Sequence, residues 1–360
     1  MAKGLLVIKI GSSSLTSKTG HLDHSRLVHF VEEMTHLMDE NYQVVLVTSG
    51  AVAAGYSSMG YAQRPRTIQQ KQASAAVGQS ILMQAYTEAF RQHQYVTAQL
   101  LVTRADFRDA TRFKHISETL TELLKRRVIP IINENDTTSV DELTFGDNDL
   151  LSALVSGMLH ADMLCLLTDI NGVYDQNPFH HKHAKKYHYI DTVSDHLLTE
   201  IDESVSRVGT GGMRSKLIAA KTANDAGVSA FIGTGLGKHS FSDVLLGKGN
   251  GTYVGHFSKK TMSLTKQWIL YHSHPVGHVQ VDSGAALALL KQNKSLLPAG
   301  VVSAKGPFSA GDIIDVYENH LLIGRGKVSC SDEELQTLLT TQSKEKLTKA
   351  IINRNFLVTI

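Results

Sequence analysis

Six short stretches of this chain are almost wholly apolar: Leu5–Ile10, Gln43–Thr48, Val96–Val102, Val128–Asn133, Asp162–Thr168 and Ser229–Gly233. Runs of that length without polar alternation predict parallel strands covered on both faces. The segments between them have a longer period. Leu27, Phe30, Val31, Met34, Leu37 and Met38 recur at helical spacing after the first run. The same reading predicts helices over Thr67–Gln92 and Met213–Ala226. Strand and helix alternate as far as about Gly255, so the pattern predicts a doubly wound, mainly parallel α/β domain over residues 1–255.

The pattern then changes. Residues 256–275 begin HFSKKTMSLTKQW, a polar and basic stretch that reads as a linker. From Val276 the apolar runs are short, as in GHVQVD, the Gly311–Gly326 stretch and the final FLVTI, and Pro298, Gly300, Gly306, Pro307 and Gly311 punctuate them. Residues 276–360 therefore read as a small, mostly-β module. No internal repeat or low-complexity segment is present.

Lys9 breaks the pattern of the first strand, LLVIKI. An ammonium group flanked by buried residues either reaches water along its alkyl stem or meets an anion. Its position suggests where to look for that anion, because open α/β sheets bind ligands beyond the carboxyl ends of their strands. The chain's unusual residues gather at those ends: KIGSSS, TSGAVAAG, NENDTT and TDINGVYDQNP. Gly11 and Gly50 each mark a turn that opens a helix, and the free N–H groups there suit a phosphate or a carboxylate.

Two further segments carry similar chemistry. GTGGMRSK, from Gly209 to Lys216, opens a helix and contains a lysine, but lacks the Gly-Lys-Ser/Thr order of a P-loop. Alone, it reads as a helix start with a solvated lysine. FGDNDLLSALVSG places Asp147, Asn148 and Asp149 before an apolar helix, where helix capping explains them locally. Asp136, in NEND, reads equally well as a turn residue.

Composition narrows the class. Apolar residues make up 42% and charged residues 19% of 360, ordinary values for a globular protein. The net charge of +2 offers no general attraction to nucleic acid or membrane. Cys165 and Cys330 are far apart and have no metal-ligand spacing, which fits free thiols in a reducing compartment. No apolar run is long enough to span a bilayer, and a cytoplasmic location is expected. His180, His181, His183 and His188 cluster without acidic or thiol partners at ligand spacing, so a solvated loop, and no protein-held metal site, is expected there.

The motifs VIKIGSSS, VTSGAVAAG, INENDTT, GDNDLLSA, LLTDINGVY and GTGGMRSK occur in this order, at successive strand ends. Together they closely resemble the glutamate-phosphorylating branch of the amino acid kinase family, and the C-terminal module is similar to a PUA domain. The resemblance covers nearly the whole chain. Ser12 and Ser215 stand where many relatives have threonine, and both keep the hydroxyl. NPFHHKHAKKYHY departs more from the family pattern.

This resemblance implies transfer of the γ-phosphoryl group of ATP to the γ-carboxylate of L-glutamate, with Mg²⁺ accompanying ATP. It implies catalytic roles for Lys9, Lys216 and Asp149, the last holding the lysines in place. It assigns Ser49, Gly50, Asp136 and Asn148 to the amino acid. It assigns Lys9, Gly11, Thr168, Asp169 and the loop Thr210, Gly211, Gly212, Met213, Arg214, Ser215 and Lys216 to ATP. Both lysines are expected to point into a solvated cleft. A homodimer or tetramer and inhibition by proline are implied as well. The alternatives are a related kinase acting on N-acetylglutamate, which has no free amine, and an RNA-binding role for the C-terminal module. Residues 276–360 contain nine basic and eight acidic side chains, which argues against a phosphate-tracking surface.

Overall fold

The computed structural model describes residues 2–17, 20–139, 148–178, 180–181, 183–204, 212–255, 264–341 and 349–360. They form two compact units. Residues 1–104 and 115–261 make up the first, residues 105–114 and 262–360 the second. Among the described residues, no helix is long and apolar enough to cross a membrane.

The first unit is built on β1 (Leu5–Ile10), β2 (Gln43–Thr48), β3 (Thr97–Val102), β4 (Ile129–Glu134), β5 (Met163–Leu167), β6 (Val173–Tyr174), β7 (Lys186–Tyr187), β8 (Tyr189–Ile190), β9 (Ser229–Gly233) and β10 (Gly251–Val254). Eight of them form one sheet in the order β3-β4-β2-β1-β5-β9-β10-β8, and β6 and β7 form a separate ribbon. The sheet is parallel except where β10 runs antiparallel to β9. The expected doubly wound sheet is thus present. β1, β2 and β9 have the bounds the apolar runs predict, and β3, β4 and β5 differ by a residue or so at their ends.

β8 and β10 are additions. Each is too short to form an apolar run, and β10 reads only GTYV. Glycine makes the β9–β10 pairing possible. A Cβ on Gly233 would lie 2.5 Å from the Asn250 carbonyl oxygen, and one on Gly251 would fall on the Phe231 ring.

β1 lies near the middle of the sheet, and all six of its residues are buried. Alternation sends its side chains to opposite faces. Leu6, Ile8 and Ile10 join Leu27, Phe30 and Met34 in the main core, so Val7 and Lys9 face the other way. Two helices of the first unit matter most for the site, Asn148–Met158 and Met213–Asp225. The first is buried at every residue but Leu150, and a Cβ on its Gly157 would lie 2.9 Å from Ala226 Cβ. The pattern's helix over Thr67–Gln92 is Ile68–Gln92, with the Thr67 hydroxyl accepting from the Gln70 amide.

The second unit holds a five-stranded sheet of β11 (Gly277–Val281), β12 (Val301–Lys305), β13 (Ile313–Glu318), β14 (Leu321–Val328) and β15 (Ile352–Thr359), in the order β12-β11-β13-β14-β15. Only β11 and β13 pair in parallel. Asn319 and His320 link β13 to β14 with φ of 45° and 71°, as a tight two-residue hairpin turn requires. Val279, Ile314, Val316, Leu335 and Ile352 centre its core.

Candidate active site

The site assembles where β1, β2, β4 and β5 end. Lys9 is the next-to-last residue of β1, in register with Val47 of β2 and Leu166 of β5. Its Nζ lies 2.7 Å from Asp149 Oδ1. Lys216, from the helix Met213–Asp225, places its Nζ 3.1 Å from Asp149 Oδ2. The Ser215 hydroxyl donates to the same oxygen at 2.8 Å and also lies 2.8 Å from the Gly212 carbonyl. One carboxylate therefore bridges two ammonium groups brought by a strand and a helix.

The three side chains are buried: Lys9 is 5%, Lys216 6% and Asp149 1% exposed. That corrects the expectation of lysines extending into a solvated cleft. The reason is electrostatic, since a lysine can leave water when a carboxylate meets it. Burial alone would raise the Asp149 pKa, but the two ammonium groups and the Ser215 hydroxyl outweigh it and hold the pKa at about 2. Burial pulls the Lys216 pKa down, and Asp149 works against that shift. Asp149 does sit in the first turn of its helix, yet its contacts with Lys9, Lys216 and Ser215 make it a counter-ion rather than a cap.

Asn148, one residue earlier, belongs to a neutral network. Its Nδ2 donates to Thr48 O at 2.9 Å, Ser49 Oγ at 3.0 Å and Asn133 Oδ1 at 2.9 Å. Asn133 Nδ2 donates to Gln79 Oε1 at 2.8 Å, and Asn133 Oδ1 also accepts from the Glu134 amide. The Thr48 hydroxyl meets the Tyr86 hydroxyl at 3.0 Å inside the core. Ser49 and Asp136 are buried beside these strand ends. Gly50 has a φ of 106°, a left-handed conformation that glycine adopts without strain. It turns the chain from β2 into the helix Ala51–Gly55.

Gly11 follows β1 directly. A Cβ there would sit 3.3 Å from Lys9 Nζ, so glycine leaves room for an anion next to the ammonium group. Thr168 and Asp169 follow β5, linked by a 3.1 Å hydrogen bond between their side chains. At Gly212 a Cβ would meet nothing within 4 Å, and Met213, Arg214, Ser215 and Lys216 begin the helix. Thr210 and Gly211 lie outside the described residues. In the histidine-rich stretch, His180, His181, His183 and His188 are all described. No group of three or more His, Cys, Asp or Glu among the described residues could hold a metal ion.

Several site residues escape the sequence reading. Asn133, Gln79, Thr48 and Tyr86 link the site to the core. Glu134 is buried and accepts from the Ser139 hydroxyl at 2.7 Å. The only signal for Gln79 is a polar residue on the buried side of a long helix.

A sequence model of the amino acid kinase family matches residues 4–234, and one of the PUA domain matches residues 277–348. The chain is 61% identical to the glutamate 5-kinase of Shouchella clausii, covering 99% of this chain and 98% of that one. It is 51% identical to the glutamate 5-kinases of Bacillus mycoides and Halalkalibacterium halodurans, each over 96% of this chain and over 94% and 92% of theirs.

Proposed function

The chain belongs to the amino acid kinase family, and from its likeness to glutamate 5-kinases over nearly its whole length we infer that it phosphorylates the γ-carboxylate of L-glutamate with ATP, the step that opens proline biosynthesis. The 61% identity over nearly the full chain supports the reaction. The observation that carries the chemistry is Asp149 held between Lys9 and Lys216.

The nucleophile is a carboxylate with an ordinary pKa of about 4.3, so it is already ionised at neutral pH. No base is needed to activate it. The barrier lies in bringing one anion onto another, and positive charge with in-line placement lowers it. We assign Lys9 and Lys216 to the charge that develops on the transferring phosphoryl group. Asp149, with its pKa held at about 2, takes no proton and keeps the two lysines in place. Gly11, Thr168, Asp169 and the loop Thr210–Lys216 would hold the nucleotide. Magnesium, when bound with ATP, would neutralise phosphate charge.

Ser49, Gly50, Asp136 and Asn148 would receive the amino acid. A carboxylate such as Asp136 suits an α-ammonium group, and the hydroxyl and amide at Ser49 and Gly50 suit an α-carboxylate. This division favours a free amino acid over an N-acetylated one. We assign the kinase to residues 1–255, a linker to 256–275 and the PUA module to 276–360. We place the enzyme in the cytoplasm as a homodimer or tetramer, with proline competing at the glutamate site. RNA binding by the module is disfavoured by its charge balance.

The test is to incubate the protein with Mg-ATP and L-glutamate and trap the acyl phosphate with hydroxylamine. Hydroxamate should form only when ATP, Mg²⁺ and glutamate are all present. Equal turnover of N-acetylglutamate, or no hydroxamate at all, would overturn the reading.

A further inference from the structure

We propose that Gln79 is a positioning residue that fixes which way the buried amides of the glutamate site face, and so makes Asn148 an acceptor for the substrate's ammonium group. The proposal rests on the glutamate reading above and adds a residue one layer behind it.

The sense of each hydrogen bond follows from its neighbours. Asn148 Nδ2 faces three acceptors: the Thr48 carbonyl, Ser49 Oγ and Asn133 Oδ1. Rotating this amide by half a turn would set its oxygen against the Thr48 carbonyl and Asn133 Oδ1, neither of which can donate, so the NH₂ group is committed to the protein. What Asn148 can offer a ligand is its oxygen, which suits an ammonium group and not a carboxylate. Ser49 Oγ receives a hydrogen from Asn148, which directs its own O–H hydrogen elsewhere as a donor. That suits a carboxylate. The pair therefore distinguishes the two charged ends of an amino acid.

This arrangement requires Asn133 to present its oxygen to Asn148. Two groups enforce that sense. The Glu134 amide donates to Asn133 Oδ1 at 2.9 Å, and Gln79 Oε1 accepts from Asn133 Nδ2 at 2.8 Å. Of these two partners only Gln79 acts through its side chain, and it comes from a different element, the helix Ile68–Gln92. It is 9% exposed. Its Nε2 is buried and has no hydrogen-bond partner among the described residues. An unmet buried donor costs stability that a leucine of similar size would not cost. The side chain is thus poorly explained as core packing and well explained by the acceptor it supplies.

Four measurements test the proposal, each on the full chain beside the wild type. Gln79→Met fills the space but removes the acceptor. It should raise the KM for L-glutamate by about tenfold, on the scale of one buried hydrogen bond, with the KM for ATP changed by less than about twofold. Its preference for L-glutamate over glutarate, which lacks the ammonium group, should shrink by a similar factor. Gln79→Glu keeps an acceptor where Oε1 lies and should stay within about threefold of the wild type. Gln79→Asn, whose carbonyl is one methylene short of Asn133, should behave like the methionine variant and replaces it if that variant fails to fold. An unchanged glutamate KM in a folded Gln79→Met or Gln79→Asn protein overturns the proposal. So does equal loss toward glutamate and glutarate, or a Gln79→Glu enzyme as impaired as Gln79→Met. Absence of hydroxamate in the wild type would instead overturn the assignment of the reaction, and this inference with it.

Discussion

Asn148 and Asp149 are consecutive, equally buried, and stand at the start of the same helix, yet each anchors a different kind of interior. Around Asp149 the contacts are mainly ionic: two ammonium groups meet one carboxylate, three groups that sum to +1, with the Ser215 hydroxyl beside them. Around Asn148 they are neutral: amides, a carbonyl and a hydroxyl. The ionic side can recruit and stabilise any anion of suitable size, because charge acts at a distance and with little regard to shape. The neutral side discriminates, because a polar group left unmatched inside the protein is costly. Phosphoryl transfer needs the first property where the phosphate sits. Choice of amino acid needs the second where the substrate's α-carbon sits.

The sharpest way to break the comparison is Asp149→Asn, which makes the two neighbours chemically alike. Two buried ammonium groups then lose their counter-ion. Removing one partner of a buried ion pair typically destabilises by about 3–5 kcal/mol, and the melting temperature should fall accordingly. Activity should fall with it, through misplacement of both lysines. A variant that melts like the wild type would show that the lysines find water instead.

Lys9→Ala and Lys216→Ala come next. Each should lower kcat by about 10²–10³, the effect of removing one preorganised charge stabiliser. Because both lysines are buried, each variant should also melt below the wild type, though less than Asp149→Asn, since the carboxylate keeps one partner. A near-normal kcat would remove the lysine from the chemistry.

Asp136→Asn probes the neutral side's neighbour. Losing a charge-assisted hydrogen bond to the ammonium group removes about 1.5–3 kcal/mol, or about 10–150-fold in affinity. The loss should appear in the KM for glutamate and leave the KM for ATP nearly unchanged, because the ammonium group keeps its charge throughout the reaction. Proline inhibition should weaken in parallel. An unchanged glutamate KM with a lower melting temperature would make Asp136 a structural residue only.

The smallest effect is on acid stability. The Asp149 pKa is about 2 in the folded protein against an ordinary 3.8. A depressed carboxylate pKa contributes stability that is fully present above about pH 4 and lost as the pH falls toward 2. The contribution is about 2 kcal/mol. Unfolding free energies measured from pH 5 to pH 2 should show this loss, and Asp149→Asn should lack it. The side chains hydrogen-bonded around Asn148 are amides and hydroxyls that do not titrate in that range, so Gln79→Met should keep the wild-type acid profile. An Asp149→Asn protein with the same profile as the wild type would assign the acid limb to other carboxylates.

The two regions also differ in how far the sequence reveals them. Lys9 is conspicuous because a charge interrupts an apolar run, and the ordered motifs at the strand ends mark Asp149 and Lys216. Their burial is not readable from sequence, because it depends on a partner far away in the chain that no local pattern identifies. Gln79 and Asn133 are hidden for another reason. A neutral amide on a buried helix face or at a strand end looks like any tolerated polar residue until its partners are known. In the fold, the central strands read clearly because they are covered on both faces. β8 and β10 lie toward one edge of the sheet, where two to four residues suffice for pairing and no apolar run is required.

The ion cluster also constrains the order in which the molecule can fold. Asp149 and Lys216 are 67 positions apart, and Lys9, in β1, lies far upstream of both. When β1 first pairs with β2, its lysine still has to stay in water, because its counter-ion arrives only with the helix that precedes β5. Desolvating the ammonium group earlier would be strongly unfavourable. The β1–β2 pair can therefore form early but cannot be sealed on the Lys9 side until the distant helices dock. Such late, long-range closure is slow. The residues expected to carry phosphoryl transfer thus also act as a checkpoint: the central strand becomes fully buried only in a chain that has already completed its charged site.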